Sequence, residues 1–600
     1  MNIYKTMYHA PKPEGIERRK AYIVGGGIAG LAAATFLVDD AQMPGENITI
    51  LEKSSVVGGS LDATEGKDGY LCRGERELEA YMECLWYLCS KIPSLDTPGR
   101  TVLDETVDVN KDHAIHSECR ALHRRGHIYE GIHNFKTSQE IQDKLNALQM
   151  ESDENLEDKT IEDYFGKDSD FYQTSMWICF HTMLSFKPYH SVLEMQRYMT
   201  RFGLATRIEY LEGILHTKRN DYDSIVKPIK VWLESKGVKT VTGCHVYDLD
   251  MDKDCNTVHA IRARQDGKDV VIDVRNEDLV FATNGSMTTN SRFGDNTHVA
   301  ETVYSTEDMG LFELWTNLAK KNEKFGHPEK FLGQVDRTKW MSFFLTVKDY
   351  PEFFERVEKM TGSKSGTGGC ITIKDSNWDL NGAFYDREYF PDQGNRDVCF
   401  FCGLFGENPG NYIKKPMSEC TGNEILEEFL YHLNMLDMKD ELLKHTYVST
   451  CMMPYITSMF MPRKETDRPR IVPQGCTNLA FIGQYVEVPG DCVFTVETSV
   501  RTGLEAAYML THLDKEILYV YPSKYDIRYL VEIFKKNGHI EGKITKKDLP
   551  KINLLKLPKM VKDLLELINS IPPYYKMYPG RDQSIPDKKS VLDPKFPKDY

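Results

Sequence analysis

The chain has 600 residues, more than one ordinary hydrophobic core accommodates, and its 41% hydrophobic and 28% charged content is that of a folded, water-soluble protein. A net charge of -15 excludes a general nucleic-acid binder, because phosphate contacts need a concentrated basic surface. The fourteen cysteines lack disulfide-framework spacing and residues 1–20 lack an apolar signal core, so the expectation is reduced thiols in a cytoplasm.

After a polar arm, 1–20, the first element is a short strand, "AYIV", followed by Gly25-x-Gly27-x-x-Gly30 and a small-residue helix. Ala21 to Val38 is 18 residues of apolar, Gly and Thr character, long enough for a membrane span, but its glycines argue for strand, turn and helix. The first glycine permits the turn, the second lets a pyrophosphate approach, and the third lets helix and strand pack. Ile28 and Ala29 open the helix, whose N–H groups and dipole suit phosphate. "NITILEK" reads as a second strand ending in Glu52 and Lys53, and Glu52, 22 residues after Gly30, is placed to accept from ribose hydroxyls. The bland alternative is a glycine-rich turn that binds nothing. "SVVGGSLDA", with Gly59 and Ser60, follows directly and favours FAD over NAD. These residues form a first cofactor stretch, 21–62.

Within 63–220, Leu78, Tyr81, Met82, Leu85 and Cys89 make a helical apolar stripe, which predicts a helix with Glu75, Glu77 and Glu79 in its first turn. In "PYHSVLEMQRYMTRF" the pair Ser191 and Glu194 predicts a capping box, and Met195, Tyr198, Met199 and Phe202 share one face. On pattern alone Tyr198 is a core tyrosine. In 221–290, "GVKTVTGCHVYDLDMD" (Val246) and "EDLVFATNGS" (Asn284, Gly285) read as strands. In 291–473, "VCFFCGLF" reads as a buried strand that puts Cys399 and Cys402 on opposite faces, so neither a redox pair nor a metal site is expected. "TKRNDYDS" and "TGSKSGTGG" read as polar loops. In 474–515 a strand ends at Gly483, and "TVETSVRTGLEAAYML" predicts a helix carrying Thr498 and Ser499. The three cofactor stretches resemble the FAD domain of the amine-oxidase and phytoene-desaturase class. Beyond 516, Leu557, Met560, Val561, Leu564, Leu565 and Ile568 share a helical face, and 541–570 holds seven lysines against four acids. Peripheral membrane docking and packing on the main body or a dimer both explain that pattern.

Over roughly 8–529 the chain resembles the fatty-acid hydratases, the oleate hydratase family once called myosin-cross-reactive antigens. The carriers are "AYIVGGGIAGLAAATFL", "RGEREL", "HSVLEMQRYMTRF", "YDSIVKP", "ITIKDSNW", "PYITSMFMPR" and "NLAFIGQ". The resemblance implies FAD, a homodimer, and water addition across a cis double bond of a free unsaturated fatty acid. It puts Arg73, Gly74 and Arg76 beside the flavin, makes Glu77 the carboxylate that activates water, and makes Tyr198 a proton donor to the alkene. A hydronium held by Glu77 is the alternative donor. Four positions depart from the family pattern. Glu75 stands where glycine is usual and Asp221 where glutamine is usual. Gly406 and Tyr412 flank Asn408 where a threonine and a histidine would help hold the fatty carboxylate. Asn408, Asp221 and Tyr412 are the expected substrate contacts.

The expected fold is α/β: a discontinuous Rossmann-like FAD domain (21–62, 221–290, 474–515), a mixed α+β substrate domain (63–220, 291–473) and a helical C-terminal region (516–600). The leading function is an FAD-dependent hydro-lyase. A flavin-dependent double-bond isomerase or oxidoreductase, which has no need of Glu77, and a non-catalytic flavin or fatty-acid binder are the alternatives.

Overall fold

The computed structural model describes residues 10–66, 68–74, 76–134, 136–202, 210–211, 213–301, 308–367 and 369–520. Beyond these it describes 527, 531, 535, 540, 542–545, 547 and 565–569. Glu75 and most of the C-terminal amphipathic stretch lie outside the described residues. None of the fourteen cysteines forms a disulfide. Among the described residues no helix is long and apolar enough to cross a membrane.

Five parallel strands form the first sheet: β1 (Ala21–Val24), β2 (Ile48–Leu51), β3 (Lys239–Val241), β4 (Leu279–Thr283) and β5 (Leu479–Ile482). Their order is β5-β4-β1-β2-β3, so three separated stretches of chain make one doubly wound sheet. The strands are buried on both sides, as parallel strands covered by helices must be. Helix α1 (Ile28–Asp39) is buried around nearly its whole circumference, which its run of small residues allows. A Cβ at Gly503 would meet the Ala29 carbonyl oxygen at 2.6 Å, so glycine lets the late helix lie directly on α1.

The second body is an eight-stranded mixed sheet with an apolar layer on each face. In Trp340–Lys348, Met341, Phe343, Leu345 and Val347 enter one layer while Trp340 and Phe344 enter the other, the period of two that a strand imposes. The paired strand Arg396–Gly403 behaves alike: Cys399 and Cys402 fall in different layers.

Two local expectations fail for tertiary reasons. Residues 77–82 do not start a helix. Leu78–Glu79 instead pairs as a strand with Ile214–Leu215, and the helix begins only at Glu83. The predicted loop around "NDYDS" is helical, with Tyr222–Val226 a π-turn running into Lys227–Ser235.

Helix α2 (Val192–Arg201) couples the two bodies. Ser191 caps it, accepting from the Glu194 N–H at 3.3 Å, but the Glu194 side chain does not turn back to complete a box. It is taken instead by Arg463 at 2.9 Å and Arg468 at 3.1 Å. Arg197 binds Asp153 at 2.8 Å and Glu487 at 2.9 Å, and Arg463 also reaches Glu487 at 2.8 Å. Arg201 reaches Asp491 at 3.2 Å. Most of these groups are fully buried, so removing one partner strands charge in a dry interior. Arg463→Met should therefore lose about 3–5 kcal/mol in urea denaturation. Arg470→Met, which breaks an exposed pair with Glu465, should change stability by less than about 1 kcal/mol.

Candidate active site

The cradle sits where β1 pairs with β2 on one side and β4 on the other, the topological switch point of such a sheet. After β1, Gly25 takes φ +96°, a value that disfavours any side chain. A Cβ at Gly30 would meet the Gly25 carbonyl oxygen at 2.1 Å, so this position admits only glycine without rearrangement. The second glycine turn packs on the first: Gly58 N–H donates to Gly26 O at 2.9 Å, and Gly27 bridges Gly58. Around a Cβ built at Gly27 the nearest atom is Gly59 Cα at 3.7 Å, leaving the backbone open to a ligand.

Glu52 accepts from the N–H of Gly26 and of Ser54, each at 2.7 Å, which fixes its carboxylate under the turn with lone pairs left for ribose hydroxyls. Lys53 is exposed. Asn284 is fully buried and its side-chain oxygen has no donor, an orphan acceptor at the end of β4. Gly285 and Gly483 follow β4 and β5 with φ +121° and +95°. Val246 lies buried in Cys244–Met251, the first strand of a separate three-stranded sheet.

The flavin-side motif is tied to the second glycine turn. Arg73 contacts Asp62 at 2.7 Å and donates to Gly59 O at 2.9 Å, and Arg76 donates to Ser60 O at 3.0 Å. Gly74 between them holds φ +116°. Thr498 is used differently from the expectation. Its hydroxyl donates to Asp491 at 3.1 Å and to Cys492 O, closing the loop before the late helix, with Ser499 buried beside it. The open glycine backbone, the carboxylate under it and the orphan amide oxygen fit a dinucleotide of the FAD type, which residues 25–30, 52, 59, 60, 73, 74 and 76 would hold.

Beside the cradle lies a cavity of about 100 Å³ lined by Glu77, Arg76, Tyr198, Phe202, Trp340, Phe400 and Phe494, among others. Glu77 is half-buried and lines this cavity from the segment just before the strand Leu78–Glu79. Burial pushes its carboxyl up to about 7, with the Arg120 guanidinium pulling the other way. Glu79, by contrast, is buried and accepts from the Tyr81 N–H at 2.7 Å, a structural role. Tyr198 is fully buried, and its oxygen accepts from the Phe494 N–H at 2.8 Å. That bond uses a lone pair and leaves the O–H proton for a partner in the cavity. Burial pushes the phenol well above its ordinary value, so it stays protonated.

Sequence reasoning missed Arg120. It is buried, donates to Cys370 O at 3.0 Å, and keeps its Nε and second Nη without an acceptor. Its charge is felt at Glu77, yet nothing in "SECRALH" marks it. The three expected substrate residues do not converge. Asp221 lines a smaller cavity of about 50 Å³ with Arg76. Burial pushes its carboxyl up to about 6 against the pull of Arg76. Asn408 lines a third cavity, of about 190 Å³, with Gly406. Tyr412 is 42% exposed and stacks on Tyr431.

Fold and site thus define a dinucleotide-binding α/β enzyme with a carboxyl and a phenol lining one cavity. The MCRA family model matches residues 18–508, and the chain belongs to that family. It is 38% identical over 551 residues to an oleate hydratase of Streptococcus pyogenes serotype M49 (strain NZ131), covering 88% of this chain and 92% of that protein. It is 27% identical to a linoleate hydratase of Lactiplantibacillus plantarum, over 82% and 93%. Solved structures similar in arrangement include cyclohexylamine oxidase from Brevibacterium oxydans IH-35A, with TM-score 0.45, 13% identity, and 84% and 99% coverage. Putrescine oxidase bound to putrescine gives 0.48, 14%, and 82% and 99%.

The Glu77 carboxyl makes stability depend on pH. Folded, it keeps its proton to about 7; unfolded, it loses it near its ordinary 4.5. The folded state binds more protons between those values, so wild type should lose stability relative to Glu77→Gln as pH rises across that window. Denaturant titrations of both proteins at several pH values would check this; parallel curves would contradict it.

Proposed function

We propose that this fatty-acid hydratase, with FAD in the cradle, adds water across a cis double bond of a free long-chain unsaturated fatty acid to give a hydroxy fatty acid. In this reading Glu77 takes a proton from the water while Tyr198 protonates the alkene. The observation that carries it is the one cavity lined by a half-buried carboxyl, a buried phenol and apolar side chains beside the cradle. Membership in a family with oleate and linoleate hydratases supplies the substrate class.

An isolated alkene is a poor base and a poor electrophile, so one carbon must receive a proton as the other receives water. The Tyr198 O–H proton goes to one alkene carbon and the π electrons form that C–H bond. The water oxygen bonds the other carbon and gives a proton to Glu77. Transfer of that proton from Glu77 to the phenolate restores both groups, leaving the net addition of one water. A phenol held protonated by burial is a weak acid, so the reaction depends on positioning and on stabilising charge at carbon. FAD, when bound, supplies polarisable charge near those carbons, and hydration draws no net electrons from it. The apolar walls made by Phe202, Phe400 and Phe494 bind the chain at about 0.8 kcal/mol per buried methylene and keep stray water away.

Incubation with oleate and with linoleate in H₂18O, read by mass spectrometry, should show the gain of one labelled water. Unchanged mass with shifted double bonds would indicate isomerisation instead, and no product a binder. Glu77→Gln and Tyr198→Phe should each lower turnover by about 10²–10⁴-fold with flavin content unchanged. The wild-type rate should rise with pH through about 7 as Glu77 ionises.

A further inference from the structure

The 190 Å³ cavity lies against the reacting cavity, and Trp340 lines both. Its walls include Lys187, Tyr189, Arg337, Lys339 and Asn408. Lys187 is 3% exposed, and among the described residues its ammonium has neither a hydrogen-bond nor an ion-pair partner. It stands over two ring faces, Phe405 at 4.9 Å and Tyr189 at 5.9 Å. A buried cation without an acceptor is costly, and a cavity wall is where an external anion could relieve it.

The neighbouring charges do not neutralise it. Asp379, the carboxylate whose field it feels most, is bound to His181 Nε2. Asp379 holds that imidazole above its ordinary range although burial opposes the charge. Glu407 pairs with Lys339 at 3.1 Å, and Lys339 also reaches Asp336 at 2.9 Å. Arg337 adds a further, exposed cation at the mouth. A second orphan donor stands in the same wall: the buried Trp340 indole N–H has no acceptor. The cations of the cavity around Asp221 are satisfied differently: Lys218 and Arg219 both pair with Asp96, at 3.3 and 2.5 Å.

We infer that Lys187, with Trp340 lining the same cavity, is the anchor for the fatty carboxylate, replacing the anchoring roles expected of Asp221 and Tyr412 and fixing which carbons reach Glu77 and Tyr198. The assignment rests on the hydratase reading for the identity of the chain, but its charge logic requires only an amphiphilic carboxylate. Lys187 acts as a specificity-determining residue; it does not touch the reacting carbons.

The test compares dodecanoate with dodecan-1-ol, neither of which has a double bond, by calorimetric binding to the FAD-loaded full chain. Wild type should prefer the acid. Lys187→Met should weaken the acid by about 30-fold or more while leaving the alcohol unchanged or tighter, and Lys187→Arg should keep the preference. Lys187→Met should also melt at the same or a higher temperature, since it removes an uncompensated charge. With oleate, Lys187→Met should spread the hydroxyl over more than one position. An unaltered acid-to-alcohol ratio in Lys187→Met, or a lowered melting temperature with that ratio intact, overturns the assignment. If the acid preference depends on Lys187 but oleate gains no water, the anchor stands and the hydratase reading falls.

Discussion

The arrangement hangs on the buried guanidinium–carboxylate lattice around helix α2. Glu194, Arg197 and Arg201 project from that helix into Arg463, Arg468, Glu487 and Asp491, and most of these groups have no access to water. Ion pairs of this kind return little net stability, because desolvation cancels most of the attraction, but they penalise any arrangement that leaves a partner unpaired. The lattice therefore specifies one docking of the substrate body on the nucleotide body. Arg501 extends it, meeting Asp491 at 3.3 Å and Glu497 at 2.9 Å. Glu497 in turn accepts from the Cys84 and Leu85 N–H groups at the start of the helix that follows Glu77. One charge network thus holds the helix that carries Tyr198 and the segment that carries Glu77.

That rigidity is what the proposed acid and base require. Tyr198 is fixed at its ring by Phe186, Phe202 and Phe460 and at its oxygen by the Phe494 N–H. Glu77 is fixed by a strand pairing on one side and by the Arg73 and Arg76 ties to the glycine turn on the other. The same burial that disfavours charge on both groups makes them useful at neutral pH. Burial pushes the carboxyl up to about 7 and keeps the phenol protonated. Arg120, too far for an ion pair with Glu77, biases the carboxylate form without locking it in a salt bridge.

What was legible in the sequence was whatever a short stretch decides alone. Gly25, Gly27 and Gly30 announce the turn because backbone geometry admits no substitute, and the alternation in "VCFFCGLF" separates Cys399 from Cys402 because strands have period two. The stripe from Leu78 to Cys89 misled because Ile214–Leu215, far along the chain, claims Leu78 and Glu79 for a strand. Glu194 looked like half of a capping box because Arg463 and Arg468 are invisible from position 194. Glu77 and Tyr198 needed the family resemblance, since helical patterning gives both of them ordinary structural roles.

The carboxylate end shows the same limit from the other side. Asn408 and Gly406 were placed by resemblance, but the groups that give their cavity its charge, Lys187, Arg337 and Lys339, come from two distant segments. Trp340 starts a strand whose register against Arg396–Gly403 and Thr446–Met453 is fixed residue by residue. Because that indole is common to both cavities, the sheet sets the separation between the charged end and the reacting bond. With the carboxylate anchored as proposed, positional selectivity becomes a property of sheet register, and the exposed Tyr412 can differ from the family pattern without moving the point of attack.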